Sequence, residues 1–298
     1  MKYYLKSKEA LPEGLHRIVR KLLDKSNNIL IDQNIDPDIA VHGVRKASKK
    51  LRALLRLLAP ALPRKTFRSN NRALRDYARL LGGARDSAVR LSSLEHLQTH
   101  FAGLLDKSAT APVHQELSRL HHLATQKHLD QLSTPDSLRR LQEIHTQLAA
   151  IDLSGITLDS LIAGLAESYR CGRRAFKALY DEPTTDHSHA LRKYTKTLWY
   201  QLRLLQKWNP KVLLPLIEQL DALGELLGHD HDLATLNESL ETLPACRDDP
   251  LRSELLNSLI EARRVALLSQ SLRSAEQVYR RKPRKFIAWF ESIQTQSC

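Results

Sequence analysis

Two short segments of the chain combine a histidine with cations at helical spacing. His42, Arg45 and Lys49 recur every three or four residues, and Lys46 lies on the flank of the same helix face. The second copy, 147 residues further along, consists of His189, Arg192, Lys193 and Lys196. Guanidinium groups donate paired hydrogen bonds to phosphate oxygens, and ammonium groups act as point charges. Each row is therefore suited to binding a polyanion.

Both rows continue toward the carboxyl end of their helices. On a helical projection Arg52 and Arg56 extend the first row and Arg203 extends the second, while leucines occupy the opposite faces. Trp199 stands where the first copy has Arg52. Each helix is therefore expected to bury its leucine face and to present one histidine and several cations on the other.

A basic helix face is usually a solvated surface on which acidic residues alternate with the basic ones, because opposite charges three or four residues apart attract. Here residues 39–75 contain 11 Lys and Arg and no acid, and residues 187–217 contain six and no acid. Repulsion kept in both copies favours a ligand that relieves it over a merely solvated face.

Further cation pairs precede each histidine helix. Arg17 and Lys21 are four residues apart, as are Arg170 and Arg174 in the second half. If these helices pack beside the histidine helices, the pairs extend the basic strips and both halves line one groove.

Composition limits the class of protein that must position these side chains. The 298 residues carry a formal charge of +13, with abundant Leu and Ala, 10 Gly and 5% aromatic residues. These proportions favour an all-α protein over a β fold or a glycine-loop nucleotide binder. The sequence shows no stretch long enough for a membrane span and no apolar signal-peptide core. Three scattered cysteines are typical of a reducing cytoplasm and give no disulfide framework or zinc site.

The chain is predicted to be an internal duplication. Leu80-Leu81-Gly82-x-x-x-Asp86 returns as Leu226-Leu227-Gly228-x-x-x-Asp232, in the same order and at nearly the same offset as the histidine segments. Turn-forming residues, Gly82-Gly83 and Gly228 among them, divide each half into about four helical segments. A seam near Ser154-Gly155 predicts repeats over residues 1–153 and 154–298.

The two histidine segments resemble the signatures of a known family. Val41–Ala53, with the sequence VHGVRKASKKLRA, and His189–Lys196 with the following Leu198-Trp199-Tyr200 are similar to CHAD domains, α-helical domains named for their histidines. Tyr169–Arg174 and the stretch from Lys282 to Trp289 extend the resemblance over nearly the whole chain. The resemblance implies two four-helix bundles related by pseudo-two-fold symmetry, with a basic cavity between them that binds inorganic polyphosphate.

The resemblance also implies binding residues, partners and a location. The polyphosphate-binding positions are His42, Arg45, Lys46, Lys49, Arg52, Arg56, His189, Arg192, Lys193, Lys196 and Arg203, joined by Arg17, Lys21, Arg170 and Arg174. The protein is expected to bind without catalysis, cofactor or metal, and to lie on polyphosphate granules in the cytoplasm. A triphosphate tunnel (CYTH) type or other polyphosphate-metabolising enzyme is an expected partner, and a membrane is not.

Three further motifs allow other interpretations. His229-Asp230-His231-Asp232 resembles a metal-ligand cluster, but consecutive residues point in different directions, and a helix-start cap at Asp86 and Asp232 is favoured. Neighbouring arginines could lower the pKa of the Cys171 thiol, although a packing role is favoured. The basic cluster from Arg280 to Lys285 is either a second polyanion contact or a solvated tail.

Two other functions stay open at this stage. A nucleic-acid binder would also use basic faces, but few aromatic residues are available for stacking and no nucleic-acid-binding motif occurs. A phosphohydrolase, or an accessory to a polyphosphate enzyme, is the third possibility, although no nucleotide-binding loop or hydrolase motif is present.

Overall fold

A computed structural model describes residues 3–6, 8–32, 35–132 and 135–295. Every regular element among them is an α-helix. The first half contains α1 (Leu11–Ile31), α2 (Pro37–Leu58), α3 (Arg64–Leu80), α4 (Gly82–His100), α5 (Lys107–Leu132) and α6 (Pro135–Ala149). The second contains α7 (Leu158–Asp181), α8 (Thr185–Leu205), α9 (Pro210–Leu240), α10 (Pro244–Arg247), α11 (Pro250–Tyr279) and α12 (Pro283–Thr295). The all-α prediction is confirmed, and the described part of each half has six helices rather than about four.

The two histidine helices begin at side-chain caps. The Asp36 carboxylate accepts hydrogen bonds from the backbone amides of Asp38 and Ile39 at the start of α2. The Thr184 hydroxyl accepts from the amide of His187 at the start of α8. Such caps satisfy amides that have no partner inside the helix. They fix where each helix begins, and therefore which residues share its cationic face.

The two Leu-Gly segments differ between the halves. The helix is interrupted at Leu81 in the first half, whereas α9 continues through Gly228 as one helix of 31 residues. The predicted break at Gly228 is wrong, because an interior glycine costs a helix only about 1 kcal/mol. The predicted caps are wrong as well: α9 begins after Asn209 and α4 after Leu81, so Asp232 and Asp86 lie inside their helices.

The main core contains residues from both halves of the chain. Leucines of α2 pack with those of α7 and α8, and a Cβ added to Gly164 of α7 would lie 1.9 Å from the carbonyl oxygen of Leu57. A second core joins α4 and α5 to α9, α10 and α11. The halves thus share both cores, and the repeat boundary at residues 153 and 154 stays a prediction.

Candidate basic binding site

Helices α2 and α8 pack directly against each other, and this contact brings the two cation rows together. Gln201 Nε2 donates to the carbonyl oxygen of Ala53 at 3.0 Å, and Arg56 Nη1 donates to the Thr197 hydroxyl at 3.3 Å. The central basic surface is defined here by residues of both helices: His42, Arg45, Lys49, Arg52, Arg56, His189, Arg192 and Lys193. Residues about 150 positions apart in the chain therefore form one site.

Lys49 lies at the centre of this surface. Loss of hydration, followed by repulsion from Arg192 and Arg45, lowers the pKa of its ammonium to about 8. Arg85 and Lys196 repel it as well. Within the described chain no carboxylate lies within ion-pair distance of Lys49 or Arg192. Lys49 and Arg192 are therefore like charges at the centre of the surface, neither of them paired with a described acid.

Arg45 and Arg192 flank Lys49 and are positioned differently. Arg45 Nη1 donates to the carbonyl oxygen of Ala78 at 2.9 Å, and its Nη2 is 3.9 Å from an Asp86 oxygen. The buried Nε of Arg192 has no hydrogen-bond partner in the described part of the chain. A bound oxyanion would supply the acceptor that this N–H group needs.

Each histidine of the surface faces a residue from the Leu-Gly segment. His42 is exposed, and its ring is repelled by Arg85. The centroids of the His189 and His231 rings are 4.9 Å apart. Loss of hydration and nearby positive groups lower the pKa of all three histidines. The free protein therefore holds them in the neutral form at pH 7, so that each ring can donate one hydrogen bond.

Arg52, Arg56 and Lys193 form the part of the surface that borders α3. Arg52 Nε donates to the Asn71 side chain of α3 at 3.1 Å. Loss of hydration lowers the pKa of Lys193, and repulsion from Arg56 and Arg52 adds to that effect. The Lys193 ammonium also lies 4.9 Å from the centre of the Tyr194 ring.

Lys196 and Arg203 have partners of their own. The Lys196 ammonium lies 3.1 Å from an Asp221 oxygen and 2.7 Å from a Glu225 oxygen. Both cations also lie over the Trp199 ring. The Lys196 ammonium is 4.7 Å from the ring centre, and the central guanidinium carbon of Arg203 is 4.6 Å from it. Lys196 is therefore compensated by acids, unlike its counterpart Lys49.

Lys46 is exposed and close enough to Lys50 to repel it. Loss of hydration lowers the pKa of Lys50 to about 8, and repulsion from Arg203 and Lys46 adds to this effect. The Lys50 ammonium also lies 4.8 Å from the centre of the Tyr3 ring. Lys50 was not among the predicted binding positions.

Three of the four upstream cations, Arg17, Arg170 and Arg174, form contacts with nearby acids. Arg17 Nε donates to Glu9 at 2.9 Å and Arg17 Nη2 donates to the Tyr4 carbonyl at 3.0 Å, whereas Lys21 is exposed. Arg170 forms an ion pair with Glu167, and Arg174 lies 3.4 Å from the same carboxylate. The predicted extension of the basic strip by Arg17 therefore lacks support, because that guanidinium is held by the N-terminal segment.

The residues of the predicted metal-like cluster point in different directions, as expected. Asp230 is buried and accepts hydrogen bonds from Ser188 at 2.6 Å and Arg264 at 3.1 Å. His231 faces His189, and His229 faces His96 instead. No group of three potential metal ligands occurs among the residues that the structure describes.

The remaining motifs acquire structural contacts. Burial raises the pKa of Cys171, in spite of the Arg174 guanidinium that donates to its sulfur at 3.2 Å. Arg281 stacks on Trp289, and its carbonyl oxygen accepts from the Tyr169 hydroxyl at 3.0 Å. The third cysteine, Cys298, and Thr134, one of the turn-forming residues of the first half, lie outside the described residues. None of the described helices combines the length and apolar character needed to cross a membrane.

The sequence analysis missed four residues that border the central basic surface: Arg75, Arg79, Arg85 and His231. Arg85 and His231 occupy the position just before the aspartate in the repeated Leu-Gly-x-x-x-Asp block. The repeated block therefore indicates that Arg85 and His231 occupy equivalent positions, although the two residue types differ. Arg75 closes the acid-free stretch and Arg79 follows it, but their place beside Arg52 depends on how α3 packs.

The comparison with protein families agrees with this architecture. The family model of the CHAD domain matches residues 7–241. The chain belongs to the CHAD domain family. The crystal structure of the CHAD domain from the plant Ricinus communis superposes with a TM-score of 0.67 at 19% sequence identity, over 95% of this chain and 96% of that one. No curated protein matches the chain.

The resemblance inferred from the two histidine segments is thereby confirmed. At 19% identity the superposition establishes the fold of this CHAD domain and leaves its ligand to be argued from its own side chains. In this CHAD domain one signature segment lies on α2 and the other on α8, and these two helices contact each other.

Proposed function

We propose that this CHAD domain binds inorganic polyphosphate, without catalysis, along the central basic surface. The observation that carries the proposal is the convergence of cations from α2 and α8 around Lys49, where neither Lys49 nor Arg192 has a described carboxylate within ion-pair distance. A folded protein keeps such a cluster at a cost in stability, since like charges repel in a partly dehydrated site. A dense polyanion removes that cost.

A polyphosphate chain fits the chemistry of this surface. It offers closely spaced phosphate oxygens and no bases, so recognition depends on charge density and on donors at regular spacing. Arg45, Lys49, Arg52 and Arg56 advance along α2 by about 5 Å per turn, and Arg192 and Lys193 add donors from the second helix. His42 and His189 donate single hydrogen bonds while neutral, and they add a positive charge where the polyanion raises their pKa.

The proposal includes the architecture and the setting of the site. Matching contacts support the internal duplication: Arg45 lies against Gly82, and Arg192 lies against Gly228. We assign the domain to polyphosphate granules in the cytoplasm and expect an association with a CYTH-type or other polyphosphate-metabolising enzyme. The basis for both is the polyphosphate ligand itself.

Retention on immobilised long-chain polyphosphate tests the proposal. Wild-type protein is expected to be retained, and Arg45→Ala with Arg192→Ala to lose retention. Because Arg45 also donates to the Ala78 carbonyl, Lys49→Gln with Lys193→Gln is a second variant. Both lysine side chains reach solvent, although neighbouring groups partly dehydrate their ammonium groups. Circular dichroism confirms that each variant is folded.

A charge-matched control separates the site from net charge. Arg139 and Arg140 are exposed on α6 and share Asp136, so Arg139→Ala with Arg140→Ala removes the same charge elsewhere. This variant is expected to bind like wild type. If folded variants of the central surface bind undiminished, the assignment of the site is wrong.

Competition distinguishes polyphosphate from nucleic acid. Long-chain polyphosphate is expected to displace RNA or DNA at far lower phosphate concentration, and the reverse order at physiological salt would overturn the proposal. Incubation with polyphosphate and a divalent metal is expected to release no phosphate. Phosphate release that co-purifies with the protein would show that it is a phosphohydrolase instead.

A further inference from the structure

We propose that the polyphosphate path is one-sided: it leaves the central basic surface over α3, where Arg72, Arg75 and Arg79 bind it, and is repelled from the equivalent face of α9. This inference rests on the proposed function and adds binding residues to it. It concerns two helix faces that occupy matching places beside the two histidine helices.

The helix α3 extends the central basic surface with further cations. Arg75 and Arg79 are close enough to Arg52 to repel it, and Arg52 is itself tied to α3 through Asn71. A single acid serves this face: Asp76 lies 2.8 Å from Arg75 and 3.9 Å from Arg79. Arg72 also acts on this carboxylate. Three arginines sharing one aspartate leave net positive charge on this part of α3.

The helix α9 carries acids at the matching positions. With the offset of 146 that aligns the two Leu-Gly blocks, Arg72, Arg75 and Arg79 correspond to Glu218, Asp221 and Glu225. The burial pattern supports the alignment, since Leu74 and Leu220 are both buried, as are Leu81 and Leu227. The charge on this face is therefore reversed at all three positions.

The structure shows what the acids of α9 do. Asp221 and Glu225 both hold the Lys196 ammonium, at 3.1 and 2.7 Å. Lys49, the counterpart of Lys196, is repelled by Arg192, Arg45 and Arg85, and among the described residues no carboxylate forms an ion pair with it. Arg203, stacked on Trp199, is a further cation on the α9 side. This side therefore keeps some positive charge, although the charge of Lys196 is neutralised by the two acids.

A polyanion on the central basic surface thus meets attraction in one direction and repulsion in the other. Toward α3 it gains Arg75 and Arg79 next to Arg52, and toward α9 it must approach two carboxylates or displace them from Lys196. A chain long enough to extend past Arg52 therefore continues over α3. Short polyphosphates, which fit within the central basic surface, gain nothing from the three arginines.

Two variants of opposite sign test the inference on the full-length protein. Arg75→Ala with Arg79→Ala is expected to weaken binding of long-chain polyphosphate. By analogy with DNA, the slope of log K against log salt concentration should become less negative by about one for each lost contact. Arg139→Ala with Arg140→Ala, the matched pair on α6, is expected to leave both quantities unchanged. Asp221→Asn with Glu225→Gln is expected to tighten binding, because Lys196 becomes free to contact phosphate.

The outcomes separate this inference from the proposed function. If wild-type protein fails to bind polyphosphate, the proposed function is wrong. If wild-type protein binds, but the α3 variant matches the α6 control with long chains, the one-sided path is wrong. If the α3 variant lost the same affinity for tripolyphosphate as for long chains, the one-sided path would also be wrong, because α3 would then belong to the centre of the site. A loss confined to long chains supports it.

Discussion

Gly228 lies against the guanidinium of Arg192, so that a Cβ added to the glycine would be 3.4 Å from Nη2 and 3.5 Å from Nε. Gly82 has the same relation to Arg45, with a Cβ at 3.4 Å from Nη1. Neither glycine has a positive φ angle. Their lack of a side chain therefore serves the close approach of the arginines and no special backbone conformation.

Gly228→Leu is expected to weaken polyphosphate binding, whereas Gly228→Ala is expected to stabilise the fold and to bind like wild type. Alanine inside α9 favours the helix by roughly 1 kcal/mol, and its Cβ makes only an ordinary van der Waals contact with Arg192. The further atoms of a leucine side chain extend beyond this contact and displace the guanidinium. Denaturant unfolding and titration with polyphosphate measure stability and affinity. Gly83→Leu, where an added Cβ meets nothing within 4 Å, is the control and should leave affinity unchanged. Unchanged affinity in Gly228→Leu would show that the contact does not position Arg192.

Binding of polyphosphate is expected to take up protons at pH 8.5. The pKa of Lys49 is about 8 in the free protein, so at this pH most of the ammonium has lost its proton. A bound polyanion favours the charged form and raises that pKa. Affinity should therefore fall as the pH rises from about 8 toward the ordinary lysine range. Calorimetry in buffers of different ionisation enthalpy measures the uptake.

Lys49→Gln should reduce this uptake at pH 8.5. Lys177→Gln, at an exposed lysine paired with Asp181 on α7, should not. Equal proton uptake by Lys49→Gln and wild type would show that another group, such as Lys50, is responsible.

Gly164→Ala is expected to destabilise the protein by about 3 kcal/mol or to prevent folding. The added methyl group would lie 1.9 Å from the Leu57 carbonyl oxygen, and backbone at a helix contact cannot move aside as a flexible side chain does. Thermal unfolding measures the change. Gly155→Ala, which meets nothing within 4 Å, should leave stability within about 0.5 kcal/mol of wild type. A Gly164 variant as stable as wild type would mean that α2 and α7 can separate without cost.

Arg17→Gln is expected to lower stability while leaving polyphosphate affinity and its salt dependence unchanged. The guanidinium is largely buried, holds Glu9 and the Tyr4 carbonyl, and keeps the pKa of Glu9 below its usual range. Its loss leaves Glu9 without its partner and loosens the N-terminal segment. A weaker salt dependence of binding in this variant would instead place Arg17 on the ligand.

The sequence was sufficient to predict the all-α class and the two cation rows, because both depend on composition and periodicity within single segments. The faces of α2 and α8 follow from residues three and four apart, and the structure places His42, Arg45 and Lys49 as that spacing requires. The failures concern contacts between segments. Nothing in the local sequence distinguishes Arg17 and Lys196 from the other predicted binding residues. The folded chain brings Glu9 to Arg17. It also brings Asp221 and Glu225 to Lys196.

The Leu-Gly blocks show a second limit. Identical residues at Gly82 and Gly228 suggested identical breaks, yet one glycine begins α4 and the other lies inside α9. In both places the glycine is buried against an arginine, so the shared feature was the side-chain contact and not the turn. A repeated motif can therefore preserve a contact while the backbone around it differs.

The position of α2 at the centre of the fold links the ligand to heat resistance. This helix packs on α1, α3, α7 and α8, and the same helix carries the unneutralised cations. An anion bound to these cations removes repulsion from a helix that packs on four others. A ligand that binds only the folded state raises the melting temperature by mass action. If polyphosphate is the ligand, as proposed, its degradation in the cell would also lower the stability of this domain.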